Sequence, residues 1–248
     1  MGDDEAVGWP AGDDELVELQ HELATAATSA LPWTPPAHGL FVAGVFVTFP
    51  TGASGPGRAG DAAWAAAVGE RDGETVEEAL VRGAAGAPYR AGLLALREGA
   101  LLEAAVRALA RRPDLVLVDA TGRDHPRGAG LALHLGAVLD LPTMGVTNRA
   151  LAAVAGVPGG ERGASAPLML AGETVGYAVR TRAGTNPLLA HAGFRTTPEQ
   201  ARDVLLALTP RWRTPRPLRG ARTLARVARA ADEGRLPGGR SAPGAAAG

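Results

Sequence analysis

Pro113-Asp114-Leu115-Val116-Leu117-Val118-Asp119-Ala120-Thr121-Gly122 is the stretch on which the fold turns. Pro113 and Asp114 break what precedes it. The unbroken apolar run from Leu115 to Val118 then reads as a strand buried on both faces. On its N-terminal side, Leu101, Leu102, Val106 and Leu109 fall on one side of a helix from Arg97 to Arg111. On its C-terminal side, a loop over 120–128 leads into a helix over about 129–139, and Leu141–Thr147 reads as a further short strand.

Farther out, Gly39–Phe49 is a second continuous apolar run with β-branched residues, again the pattern of a buried strand. Ala62–Gly69 and Glu74–Val81 are weaker strands that complete a meander with it. Leu16, Leu19 and Leu23 mark an amphipathic helix over Glu15–Ala27, with acids at its favourable N-terminal end. Later strands are read at Pro167–Leu170, Thr174–Thr181 and Pro187–His191, and helices at Pro198–Leu208 and Leu218–Ala231. Residues 156–166 read as a flexible loop. The order implies an α/β protein with one mixed β-sheet flanked by helices in a single domain over 12–232. Residues 1–11 read as a flexible N-terminus and 233–248 as a tail disordered by composition.

Composition narrows the function classes. The 248 residues include 34 Gly and 19 Pro, about a fifth of the chain, below the level of a low-complexity segment. With no Cys, disulfides and thiolate metal sites are excluded. No apolar run reaches membrane-span length and no export signal opens the chain, so a cytoplasmic protein is expected. A net charge of −1 argues against general polyanion binding. All 25 basic residues are Arg, however, and Arg211, Arg213, Arg216, Arg219, Arg222, Arg226 and Arg229 crowd the end of the chain. Such a stripe fits either phosphate contacts or a solvated helix face.

Asp119 is the leading candidate for chemistry, because a carboxylate at the end of an apolar strand lies where α/β proteins place ligands. It equally suits an Asp capping the next turn. Asp124 and His125 follow within six residues. Carboxylate, imidazole and Arg together suit metal-assisted phosphate chemistry, although loops are commonly this polar. Glu98 fits a ligand or simply a favourable charge near a helix start. His134, on a Leu-rich helix, reads as a packed core residue, and Gly122, Gly128 and Gly130 lack dinucleotide-fingerprint spacing.

Several blocks, in order, resemble the endonuclease V family: Pro88–Glu98 (PYRAGLLALRE), Pro113–Gly136, Leu139–Thr147 and Gly176–Arg195, with the Arg- and Leu-rich end near 217–230. The resemblance spans roughly residues 12–232. It implies a ribonuclease H-like fold with a sheet of five-stranded type, and a DNA-repair-type hydrolase. Such an enzyme cuts a phosphodiester bond near deoxyinosine in DNA or inosine in RNA, using Mg²⁺ or Mn²⁺. On the matching positions, Glu98 is the catalytic Glu, Asp119 the metal-binding Asp, and His125 the loop His. Pro88 and Tyr89 begin the strand-separating wedge.

Two positions depart from the family pattern. Phe46 stands where the first strand carries a metal-binding Asp, and Phe194, between Gly193 and Arg195, stands where a late catalytic His is found. Asn148 replaces a Lys. The resemblance with these departures implies either an endonuclease V-like hydrolase with impaired metal-dependent activity or a catalytically silent homologue that binds nucleic acid or protein.

Overall fold

The computed structural model describes residues 7–52 and 55–235. The elements run α1 (Asp13–Ser29), β1 (Val42–Thr48), β2 (Ala62–Arg71), β3 (Glu74–Ala84), α2 (Leu94–Arg107), β4 (Leu115–Val118), α3 (Leu131–Leu139), β5 (Thr143–Thr147), β6 (Val154–Ala155), β7 (Ser165–Leu170), β8 (Glu173–Val179), β9 (Leu188–Ala192), α4 (Pro198–Ala207) and α5 (Arg216–Asp232). All nine strands join one mixed sheet in the order β3-β2-β1-β4-β5-β9-β8-β7-β6. Only the β1–β4 and β4–β5 pairs are parallel. The expected meander is present as β1–β2–β3.

The sheet is wider than the five-stranded type expected, because β9, β8, β7 and β6 extend it beyond β5.

Alternation along β4 explains why its four residues need no polar face. Val116 and Val118 point into one cluster with Leu102 and Val106 of α2 and Leu135 of α3. Leu115 and Leu117 point the other way, against Met144, Leu205 of α4 and Leu218 of α5. Farther along α5, Ala221, Ala225 and Ala228 recur at helical spacing and pack on Trp64, Ala66 and Val68 of β2. Small side chains there bring the helix close to the sheet. Among the described residues, no helix is long and apolar enough to cross a membrane.

Two expectations change. The helix before β4 begins at Leu94, not Arg97, which places Glu98 inside its second turn. Residues 7–11 are held in place rather than frayed: Trp9 donates from Nε1 to Glu103 (2.7 Å), and its ring lies 4.4 Å from that of buried His134. His134 in turn contacts the Gly8 carbonyl at 3.0 Å. Residues 1–6 and 236–248, the bulk of the expected flexible ends, lie outside the described residues.

Candidate nucleic-acid site at the ends of the central strands

Parallel pairing of β1 and β4 aligns Val45 with Val118. One step farther, Phe46 and Asp119 stand side by side on the α5 side of the sheet. The Asp119 carboxylate is engaged by Arg222, with Nη2 2.9 Å from Oδ1 and Nε 3.1 Å from Oδ2. This is a two-pronged, charge-assisted pair. The same guanidinium lies 5.9 Å from the Phe46 ring centre, and Arg226, one turn on, lies 5.3 Å from it. Arg213 completes the cluster and donates to Asn148 Oδ1 (2.8 Å) and to the Asn186 and Pro187 carbonyls. Burial and the nearby Arg222 charge push its pKa down.

Glu98 approaches from α2. It keeps some exposed surface, but the protein around it desolvates the carboxyl and pushes it up to about 8; Arg97 opposes the rise and Asp119 adds to it.

A cavity of about 330 Å³ opens beside Asp119, lined by Tyr89, Gly92, Ala120, Thr121, His125 and Leu151 among others. Its rim is tied together at one carbonyl. Gly92 O accepts from Gln20 Nε2 (3.2 Å) and Arg127 Nη2 (2.7 Å), and His125 Nε2 lies 3.1 Å from it. Arg127 also donates to Gln20 Oε1 at 2.6 Å. Helix α1, the turn carrying Tyr89 and the loop after β4 are thereby locked to one another. Tyr89 itself is 52% exposed, and Pro88 precedes it in the same turn.

His125 is buried with both ring nitrogens engaged, since Nδ1 accepts the Arg127 backbone N–H at 3.2 Å. That arrangement makes Nε2 the protonated nitrogen and the ring a neutral strut. Burial, with Arg127 second, lowers its pKa to about 4, against the pull of Gly92 and Asp124. The unfolded chain therefore binds a proton that the folded chain refuses between about pH 6.5 and 4, so stability is full above that window and falls as pH drops through it. At pH 5 the expected loss from this group is about 2 kcal/mol. Urea unfolding at pH 7.5 and pH 5 checks it, and the His125→Asn variant should lack that share of the acid loss.

Asp124 is wholly buried and accepts three backbone N–H groups, from Leu151 (2.9 Å), Ala152 (2.8 Å) and Ala153 (2.7 Å). The neighbouring His191 lies 3.5 Å away and contacts Thr147 Oγ1 at 2.7 Å. These two residues hold loops together and are not free ligands.

Phe194 is not at this site. Strand β9 runs antiparallel to β5, with Ala192 opposite Met144. The chain therefore leaves β9 at the start of β5, where the Phe194 amide donates to Thr143 Oγ1 and its carbonyl accepts from the Thr143 N–H. It lines a groove with Pro113, Asp114 and Asp140, at the end of the sheet opposite Asp119. The structure places Asp119, Phe46 and Arg222 in one cluster with Glu98 near Asp119, and Tyr89 and His125 on the lining of the cavity that begins at Ala120; Phe194 joins neither group.

A divalent cation of the Mg²⁺ or Mn²⁺ type needs several ionised or carbonyl oxygens. Among the described residues, no three His, Asp or Glu side chains gather to hold one. Phe46 contributes a ring, both Asp119 oxygens are bound by Arg222, and Glu98 is favoured in its protonated form. The residues present do not fit the metal that the family resemblance implies.

A mixed sheet with a parallel β1-β4-β5 centre, helices on both faces and a carboxylate at the end of β4 belongs to the ribonuclease H-like class. Within that class, the endonuclease V family model matches residues 29–223, and the chain belongs to that family. It is 38% identical over 224 residues to the endonuclease V of Streptomyces avermitilis, covering 89% of this chain and 94% of the relative. The crystal structure of that protein superposes with a TM-score of 0.80 over 92% of this chain and 97% of its own. The catalytic domain of human endonuclease V is 27% identical, with a TM-score of 0.77 over 91% of this chain and all of its own. The Ciona intestinalis endonuclease V, solved with a DNA containing an inosine followed by a ribo-adenosine, shares the fold at 19% identity and a TM-score of 0.69, covering 87% of this chain and 98% of its own.

Proposed function

We propose that this chain is an inosine-directed nucleic-acid-binding member of the endonuclease V family in which metal-dependent phosphodiester hydrolysis is lost or severely impaired. One observation carries the reading: a base-sized cavity opens at Ala120, directly after Asp119, whose carboxylate is paired with Arg222 and unsuited to a cation. At about 330 Å³ the cavity sits at the low end of small-molecule sites, roughly 300–1,000 Å³, which suits one extruded base. Its mixed lining offers apolar walls for the ring, from Leu94, Leu131 and Leu151, and a hydroxyl group for the base edge, from Thr121. Exposed Tyr89 stands at the rim, where an aromatic side chain supports a strand opened at the base. The inosine-containing DNA of the Ciona complex supports inosine as the base.

Hydrolysis would require a metal held by Glu98 and Asp119, and Phe46 and Arg222 deny it. The test is a nicking assay on deoxyinosine- and inosine-containing oligonucleotides with Mg²⁺ and Mn²⁺, run beside a binding titration. Salt-sensitive binding without cleavage is expected. Robust cleavage that disappears in Glu98→Ala or Asp119→Ala would overturn the reading in favour of an active hydrolase.

A further inference from the structure

We infer that Arg222 serves as a built-in cation, and that with Arg226 and Arg213 it forms a metal-independent site for a nucleic-acid phosphodiester at Asp119. The inference rests on the nucleic-acid-binding reading above and specifies how the strand is held.

The groups are arranged for it. Asp119 takes two contacts from one edge of the Arg222 guanidinium, at 2.9 and 3.1 Å. A guanidinium carries five N–H donors in a plane, so a pair of this kind leaves further donors unused. Arg222 keeps 22% of its side chain exposed, so the pair is not sealed off from solvent. Phe46 fixes the plane from below: its ring lies against both Arg222 and Arg226, and an aromatic face favours a cation over it. A Phe at this position is thus a platform for guanidinium groups, whereas a carboxylate there would compete for them.

The local charge is also unbalanced toward positive. Among the described residues, neither Arg226 nor Arg213 has a carboxylate partner, and Asp119 is already shared with Arg222. Arg226 is exposed, and Arg213 is anchored by neutral oxygens of Asn148, Asn186 and Pro187. Three guanidinium groups close together with one carboxylate between them call for an anion. A phosphodiester oxygen pair matches the planar fork of Arg. Asp119 is followed directly by Ala120, and Asn148, which holds Arg213, sits between Thr147 and Arg149; Ala120, Thr147 and Arg149 line the cavity, so a base placed there would bring its neighbouring phosphate toward the cluster.

The test is fluorescence anisotropy with a deoxyinosine-containing single-stranded oligonucleotide, in EDTA and in Mn²⁺, across a salt series. The wild-type protein is expected to bind with the same affinity, within about twofold, in both media. Arg222→Ala removes a donor and frees the Asp119 charge, so its affinity in EDTA should drop more than about tenfold. Arg226→Ala, at an exposed position that leaves folding unaltered, should reduce the slope of log affinity against log salt by about 0.7. A direct readout is Mn²⁺ binding followed by electron paramagnetic resonance. No binding is expected for the wild type, and binding is expected for the double variant Phe46→Asp/Arg222→Ala.

Strand binding by the wild type that requires Mn²⁺ overturns the inference while leaving the nucleic-acid reading intact. Unchanged affinity and salt slope in both Arg222→Ala and Arg226→Ala do the same. Cleavage by the wild type, or no strand bound at any salt, removes the reading and the inference together.

Discussion

Replacing Asp124 by Ala is expected to cost about 3–5 kcal/mol of folding stability, the range for leaving buried polar groups without the charge that satisfied them. Asp124 has no exposed surface, and its two oxygens collect the N–H groups of Leu151, Ala152 and Ala153 at 2.7–2.9 Å. Alanine would orphan all three donors and leave a void where the carboxylate stood. The loop after β4 would also lose its tether to the turn after β5. Both loops line the cavity, through Thr121 and His125 on one side and Thr147 and Leu151 on the other, so strand binding should weaken along with stability. Asp124→Asn keeps the volume and one acceptor oxygen, which can still serve Ala152 and Ala153, but it turns an amide N–H₂ toward Leu151. Its loss should be near half that of Asp124→Ala. For a chain of this size, about 4 kcal/mol corresponds to a melting temperature lower by roughly 10 °C. Thermal unfolding of both variants checks the ranking. A melting curve for Asp124→Ala within about 1 kcal/mol of wild type would show that water satisfies the turn instead.

Asp124 also marks where a sequence reading stops. Its neighbours Asp119 and His125 made it look like part of a phosphate-processing cluster, because spacing along the chain says nothing about which way a loop side chain turns. In the fold it points inward and acts as a backbone cap. The strands and helices were legible because their signals are local: the unbroken apolar runs of β1 and β4 and the Leu spacing of α1 each depend on neighbours within a turn or two. The added strands at the β6 edge were partly legible as short runs, but their joining into one sheet with β9 was not, since pairing is a long-range choice.

The candidate site was legible on one side only. Glu98 comes near Asp119, and His125 and Tyr89 line the cavity that begins at the next residue, Ala120. Phe194 joins neither group, because the sense of β9 carries it to the opposite end of the sheet. Arg222 was visible only as one of a stripe of arginines. Its pairing with Asp119 across 103 residues depends on where α5 docks, and no local pattern encodes that. The stripe itself proves to be neither a purely solvated face nor a uniform phosphate track: Arg216 pairs with Glu74, Arg219 lies on Trp212, Arg229 reaches Thr48, and Arg222 and Arg226 cover Phe46.

The docking of α5 yields the second large expected effect, at Gly44. A Cβ placed on Gly44 would lie 2.4 Å from Leu218 N and from the Pro217 carbonyl carbon, and 2.8 Å from Pro217 O. All three are backbone atoms, so no side chain can swing aside; the helix or the strand must move. Gly44 is in the middle of β1, paired on both sides with Val68 and Leu117, so the strand is the more constrained of the two and the start of α5 should be displaced. Gly44→Ala is therefore expected to cost about 3 kcal/mol, the upper part of the range for overpacking. The effect should extend beyond stability. Leu218 and Arg222 are one turn apart on α5, so tilting the helix away from β1 draws Arg222 off Asp119, whose contacts of 2.9 and 3.1 Å tolerate little lateral shift. Strand binding in EDTA should then fall as it does for Arg222→Ala, although every charged residue is still present. Urea unfolding measures the first effect and anisotropy the second. A Gly44→Ala protein within about 0.5 kcal/mol of wild type would mean that α5 rides loosely on β1. If stability falls but EDTA binding does not, the placement of Arg222 is set by its own contacts with Asp119 and Phe46 rather than by the close approach of Gly44 to the helix.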